Sequence, residues 1–189
     1  MFTTLTITDL LGARKLKRRF DAVISVQDPH CKRGELVRFA KQPAPRHLRL
    51  RFDDIEADCA GVVAPQESHV AEALDFARSH NGTLLVHCHG GISRSGAMSY
   101  ALLADLLGPG REQEALNQLL AQRPIVVPNG RIVRFADKVM QRGGALLRVY
   151  QERLAKDGAW QEIKVRQRAY WMKKRPQLFP TELSYDRLL

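Results

Sequence analysis

Apolar and polar positions follow two rhythms along this chain. In FDAVISVQDPH the stretch Ala22 to Val26 is almost wholly apolar and runs into Asp28-Pro29, which predicts a buried strand ending in a turn. HLRLRF alternates Leu48, Leu50 and Phe52 with Arg49 and Arg51, the pattern of a half-buried strand that closes at Asp53-Asp54. PQESHVAEALDFARSHNG carries Val70, Ala73, Leu74 and Ala77 at helical spacing and stops at Asn81-Gly82. TLLVHC is short and apolar throughout, as a central strand would be. SGAMSYALLADLLG then predicts a mostly buried helix, and REQEALNQLLAQRP a more polar amphipathic one closed by Pro124. Asn129 reads as the cap of a further helix from Arg131 to about Arg142, where Gly143-Gly144 interrupts it. Strands alternating with helices predict an α/β domain on a largely parallel sheet over residues 1–144. Residues 145–189 read as an extension packed on or appended to it: helical at first, then basic and aromatic, then punctuated by prolines.

Composition narrows the class. At 189 residues, 44% hydrophobic and 26% charged, the chain has the profile of one soluble globular domain. No run approaches the ~18 apolar residues of a membrane span. In MFTTLTITDLLGARKLKRRF the basic cluster follows the apolar stretch, the wrong order for a secretory signal. The 3 cysteines are odd in number and scattered, which argues against a disulfide framework and for a reducing compartment, the cytoplasm.

A net charge of +10 favours anionic partners without naming the anion. The excess clusters in RKLKRR at 14–19 and in IKVRQRAYWMKKR at 163–175, which holds six basic residues and no acid. Each is either a solvated face or a docking surface. Trp160, Tyr170 and Trp171 read as packing residues, and with no nucleic-acid signature around them no nucleic-acid partner is expected. The sequence sets no oligomeric state.

Against this background VHCHGGISRSG, residues 86–96, stands out, because it seats a thiol between two imidazoles at the end of an apolar run. Strand, glycine-bearing loop and helix in succession present backbone N–H groups to an anion, with the positive end of the helix at the same spot. Gly90 and Gly91 let the loop curl so that successive amides point inward. The residues between Cys88 and Arg94 (His89, Gly90, Gly91, Ile92 and Ser93) suffice to wrap one tetrahedral oxyanion, and Arg94 can fork two of its oxygens. The same groups would stabilise a thiolate on Cys88, and a thiolate beneath a phosphate is a nucleophile aimed at phosphorus. His87 and His89 lack further ligands at zinc-like spacing, so no metal is expected, and His87 reads as ordering the loop by hydrogen bonding.

HCHGGISRS resembles the His-Cys-five-residues-Arg-Ser/Thr signature of cysteine-based protein tyrosine phosphatases, most closely the small dual-specificity branch. The resemblance spans roughly residues 20–142: NGTLLVHC is similar to the branch's approach strand, SYALLADLL to its following helix, and PIVVPNGRIVRFA to its Pro-Asn segment and next helix. It implies a phosphatase fold with no cofactor, hydrolysing a phosphate monoester through a phosphocysteine on Cys88. It further implies that Arg94 and the loop amides bind phosphate, that Ser95 assists the departing thiolate, and that Asn129 braces the loop. The general acid of such enzymes is an aspartate on a loop after the strand some three dozen residues before the cysteine. HLRLRFDDIEADC matches that segment; register selects Asp54, with Asp53 as the alternate and Asp58 behind both.

A phosphotyrosine-bearing protein is the leading substrate class implied, with phosphoserine and phosphothreonine also admitted. The absence of Lys between residues 89 and 93 weighs against a phosphoinositide, and no segment resembles the family's tyrosine-stacking loop. The alternatives are a phosphate-binding module with little catalysis, a phosphatase of a non-protein ester, and a sulfur- or arsenate-handling enzyme. Cys31 and Cys59 read as structural or surface thiols, the sharper alternative being a disulfide partner for oxidised Cys88.

Overall fold

The computed structural model describes residues 1–39, 45–58, 60–174 and 176. Cys59 and residues 177–189 lie outside the described residues. Four strands form one sheet: β1 (Thr4–Thr8), β2 (Ala22–Gln27), β3 (Arg46–Arg51) and β4 (Thr83–His87), in the order β1-β4-β2-β3. All three pairings are parallel, with Thr8 opposite His87, Ser25 opposite His87, and Gln27 opposite Arg51. The helices are α1 (Leu10–Leu16), α2 (Glu67–Arg78), α3 (Arg94–Leu107), α4 (Glu112–Gln122), α5 (Gly130–Val139), α6 (Ala145–Lys156) and α7 (Gly158–Lys174).

The alternation of the strands decides what each face covers. Ile24 and Val26 of β2, with Leu84 and Val86 of β4, face the main core under α2, α3, α4, α5 and α6. Val23 and Leu85 point the other way, onto Leu10 and Ala13 of α1. Because both faces are covered, β2 and β4 are apolar almost without interruption. The edge strand β3 keeps Leu50 inside and its arginines outside.

The sheet and α2 through α5 match the sequence expectation, and β4 is central. Two features differ from it. The N-terminal residues add β1 and α1, and the basic, aromatic stretch after residue 158 is one continuous helix, α7. Trp160 packs beside Tyr150 with ring centroids 5.9 Å apart, and Trp171 joins a small cluster with Ile55 and Ala64. Leu146 and Tyr150 of α6 and Trp160 of α7 belong to the main core, and α7 ends beside the loop after β3. No helix among the described residues is long and apolar enough to cross a membrane.

Parallel strands bring their C-terminal ends to one edge, the usual place for a ligand crevice in such sheets. Here that edge gathers Asp9 after β1, Asp28 after β2, Asp54 after β3 and the Cys88–Ser93 loop after β4.

Candidate active site

The loop is held by its carbonyls. His89 O accepts from Leu10 N at 3.1 Å, Gly90 O and Gly91 O accept from the Arg123 guanidinium at 3.1 and 2.7 Å, and Ser93 O accepts from Asn129 N at 3.2 Å. In a planar trans peptide the N–H opposes the C=O, so tying these oxygens outward turns the next amides inward. The Gly91 N–H shows the result by donating to Cys88 Sγ at 3.2 Å. Ser93 caps α3 through its carbonyl, which accepts from Ala97 N at 2.9 Å, and not through its hydroxyl, which donates instead to Asp54 Oδ1 at 2.7 Å. No side chain therefore closes the first turn of α3, and its amides remain available to an anion.

Gly91 is required by geometry. Its φ is +67°, and a Cβ there would sit 2.7 Å from the backbone of Thr8 and Asp9. Gly91→Ala is expected to cost roughly 1–2 kcal/mol for the left-handed backbone and about 1–3 kcal/mol more for the clash with β1. Thermal unfolding and anion binding should both show the loss; a variant with unchanged midpoint and affinity would contradict this account of the loop.

Cys88 is buried, and its sulfur accepts a second hydrogen bond from Ser95 Oγ at 3.1 Å. Arg94 is 4% exposed and spends one nitrogen on the fold: Nη1 donates to Asp28 Oδ1 at 2.7 Å and to Phe52 O at 2.8 Å. Its Nε is buried and has no partner among the described residues. The guanidinium is thus clamped by one corner and leaves its Nε side to fork an oxyanion. Burial opposes the charge on Arg94, but Asp54, Cys88 and Asp28 together outweigh it and hold its pKa above the ordinary arginine value.

Of the three aspartates in register, Asp54 alone lines the cleft over Cys88. Its Oδ1 accepts from Ser93 Oγ and, at 3.0 Å, from Asn129 Nδ2, while its backbone carbonyl accepts from Trp171 Nε1 at 2.7 Å. Asp53 turns away and exchanges two hydrogen bonds with Val63. Asp58 pairs with Arg131 at 2.8 Å. Asn129 also caps α5 by accepting from Ile132 N at 3.2 Å, so its cap role and its hold on loop and acid coexist.

His87 orders the entry to the loop through a buried relay. Its Nδ1 lies 3.1 Å from Cys88 O, and its Nε2 lies 2.6 Å from Ser25 Oγ, which is 2.8 Å from His47 Nε2. A carbonyl only accepts, so Nδ1 carries the proton, Nε2 accepts from Ser25, and Ser25 accepts from His47. Both rings are neutral, and burial is the main reason their pKa values fall from 6.5 to about 4. In the unfolded chain both would protonate near 6.5, so their stabilising share is complete above that pH and is lost as pH falls toward 4. Urea midpoints measured from pH 7 to 4 should decline over this window, and the decline should be shallower in His47→Gln.

His89 and Gly90 sit exposed at the rim, and Ile92 forms part of the wall. The cleft, about 760 Å³, is also lined by Asp28, Glu35 and the α7 residues Ile163, Arg166, Gln167, Tyr170, Trp171 and Lys174. Tyr170 is exposed on this wall, so the expectation that it packs does not hold; Trp160 and Trp171 are buried as expected. Asp28 and Arg123 were not singled out from sequence as site residues, and the basic stretch at 163–175, which the sequence leaves open as a solvated face or a docking surface, supplies one wall of the cleft. Cys31, half-buried, lines with Cys88 a small hollow behind the loop, and burial raises its thiol pKa.

No protein-family model matches the chain, and no curated protein is similar to it in sequence. Its fold does recur among solved structures. The human tyrosine phosphatase-like serine/threonine/tyrosine-interacting protein aligns with a TM-score of 0.55 and 20% identity over 75% of this chain and 93% of that one. Human DUSP28 aligns at 0.53 and 20% over 75% and 94%, and DUSP15 at 0.52 and 24% over 79% and 91%. The fold is that of the dual-specificity phosphatases. Since these partners are covered almost completely, roughly a quarter of this chain lies beyond the shared dual-specificity phosphatase fold.

Proposed function

We propose that this protein is a phosphate monoester hydrolase working through a phosphocysteine, with a phosphotyrosine-bearing protein as its leading substrate class. The observation that carries the reading is the meeting, in one cleft, of a hydrogen-bonded buried sulfur, an arginine with an unpartnered inner nitrogen, and a carboxyl group. The dual-specificity phosphatase fold supports it.

In the first displacement the Cys88 thiolate forms a bond to phosphorus as the ester P–O bond breaks, and Asp54 gives its proton to the leaving oxygen. Oδ1 already accepts two hydrogen bonds, so the transferable proton belongs on Oδ2. In the second, Asp54 takes a proton from water while the oxygen attacks phosphorus and the P–S bond breaks. The departing sulfur is met by the hydroxyl of Ser95 and the amide of Gly91. Arg94 and the loop amides hold the equatorial oxygens in both steps, where charge placement does most of the catalytic work. A free, reduced Cys88 suits a reducing compartment such as the cytoplasm.

The test is release of inorganic phosphate from a small aryl phosphate in the presence of a metal chelator. Phosphate should slow alkylation of Cys88, and vanadate should inhibit turnover. An enzyme that binds the ester and releases no phosphate would be a binding module instead.

A further inference from the structure

The side of α7 that lines the cleft carries Ile163, Arg166, Gln167, Tyr170, Trp171 and Lys174, spaced as one helical face. That face mixes aromatic groups with cations, and it faces a cleft whose size suits a ligand much larger than one phosphate. Resting on the phosphatase reading above, we propose that Arg166 and Lys174 form a second anion subsite. The substrate is then a phosphotyrosyl peptide segment carrying another acidic group within about three residues of the phosphotyrosine.

Position and charge both support this. The hydrogen bond from Trp171 Nε1 to Asp54 O, 2.7 Å long, pins the helix against the rim of the loop. At a rise of about 1.5 Å per residue, Lys174 lies about 4.5 Å along the axis from Trp171, and Arg166 about 7.5 Å the other way. An extended peptide advances about 3.3–3.6 Å per residue, so two or three residues from the phosphotyrosine reach either cation. The remaining charged walls of the cleft are acidic (Asp28, Glu35 and Asp54), apart from Arg94, which is committed to the reacting phosphate, and His89 at the rim.

Among the described residues neither cation is locked in place. Arg166 pairs there with Glu162 along its own helix, both side chains being largely exposed, a type of pair that contributes little and exchanges readily. The Lys174 ammonium rests 5.3 Å from the Tyr170 ring centre and 5.1 Å from that of Trp171, beside the half-exposed phenol that can face a substrate ring. A peptide fits better than a bilayer, because among the described residues the exposed large aliphatic side chains Met1, Leu11, Val63, Ile125 and Val165 come from five separate segments of the sequence.

Two phosphotyrosyl peptides that differ only in Glu against Gln at the positions flanking the phosphotyrosine test the proposal. The wild-type protein should favour the acidic peptide about tenfold in kcat/KM at low salt, and the preference should shrink toward unity at 0.5 M salt, where screening is about 4 Å. In the Arg166→Gln, Lys174→Gln variant the ratio of the two peptides should fall to within about twofold; being a ratio, it is insensitive to a general loss of active protein. Equal rates in the wild type, a preference that resists salt, or one that survives in the variant would overturn the subsite. Faster hydrolysis of a phosphoinositide in vesicles than of the acidic peptide would overturn the peptide assignment. Failure of the phosphatase reading itself shows separately, as no phosphate released from a small aryl phosphate.

Discussion

Replacing Cys88 with serine is expected to abolish turnover of phosphate monoesters, by a factor on the order of 10⁵ or more, while leaving peptide binding within about threefold. The sulfur is the atom that bonds to phosphorus, and a serine hydroxyl in its place would have to lose its proton first. Among the described residues no base hydrogen-bonds to the sulfur: its partners are the Gly91 amide and the Ser95 hydroxyl, and the Arg94 charge acts on it as well. These donors are aimed at an anion and give no help in deprotonating an alcohol. The anion cradle itself is built by Leu10, Arg123 and Asn129 holding loop carbonyls, none of which depends on the sulfur. Single-turnover phosphate release together with direct binding of a phosphotyrosyl peptide separates the two properties. Turnover within tenfold of wild type would remove Cys88 from the chemistry. Arg94→Lys should lose binding and turnover together, because a lysine ammonium cannot both satisfy Asp28 and Phe52 O and offer a planar fork.

The elements that were legible in the sequence are those whose burial follows a single period. β2 and β4 are buried on both faces, α2 presents a clean helical stripe, and α3 is buried on every side over Arg94 to Ala104. The anion loop was legible because its chemistry is local: cysteine, glycines and arginine lie within seven consecutive residues. Asp54 shared the face of Leu50 and Phe52 by strand alternation, and Asp54, three residues past the end of β3, does line the cleft with Cys88 while Asp53 turns to Val63. What stayed hidden depends on contacts between distant residues. Asp28 marks a turn in the sequence, yet its partner Arg94 is 66 residues away. Arg123 reads as the end of α4, and nothing nearby announces that it holds two carbonyls of the loop. The cleft-facing side of α7 carries isoleucine, arginine, glutamine, tyrosine, tryptophan and lysine, so it forms no apolar stripe. The helix is placed by Trp171 and by a half-buried pair between Lys164 and Glu56, both of which need the fold to meet.

Asp54→Asn is expected to slow hydrolysis by about 10²–10⁴ for esters whose leaving oxygen is basic, and by far less for phenols acidic enough to depart without a proton. An asparagine keeps the hydrogen bonds from Ser93 and Asn129 through its amide oxygen but has no acidic proton to transfer. The loss should therefore grow steadily with the pKa of the leaving group, a signature that a merely loosened loop would not produce. The same measurement assigns a role to α7. Lys164 donates to Glu56 and, at 3.0 Å, to Pro128 O, and Glu56 in turn accepts from Gly130 N at 2.8 Å. Burial works against the charge on Lys164, but Glu56 outweighs it and raises its pKa, so the clamp stays charged across the working range of pH. Together with the bond from Trp171 to Asp54 O, this clamp fixes where the acid stands. Trp171→Phe keeps the ring but removes that bond, and it should reproduce the leaving-group dependence of Asp54→Asn in milder form, with a loss of several-fold to tenfold confined to poor leaving groups. An equal loss on all esters in both variants would mean that Asp54 supports the loop and that the proton comes from elsewhere.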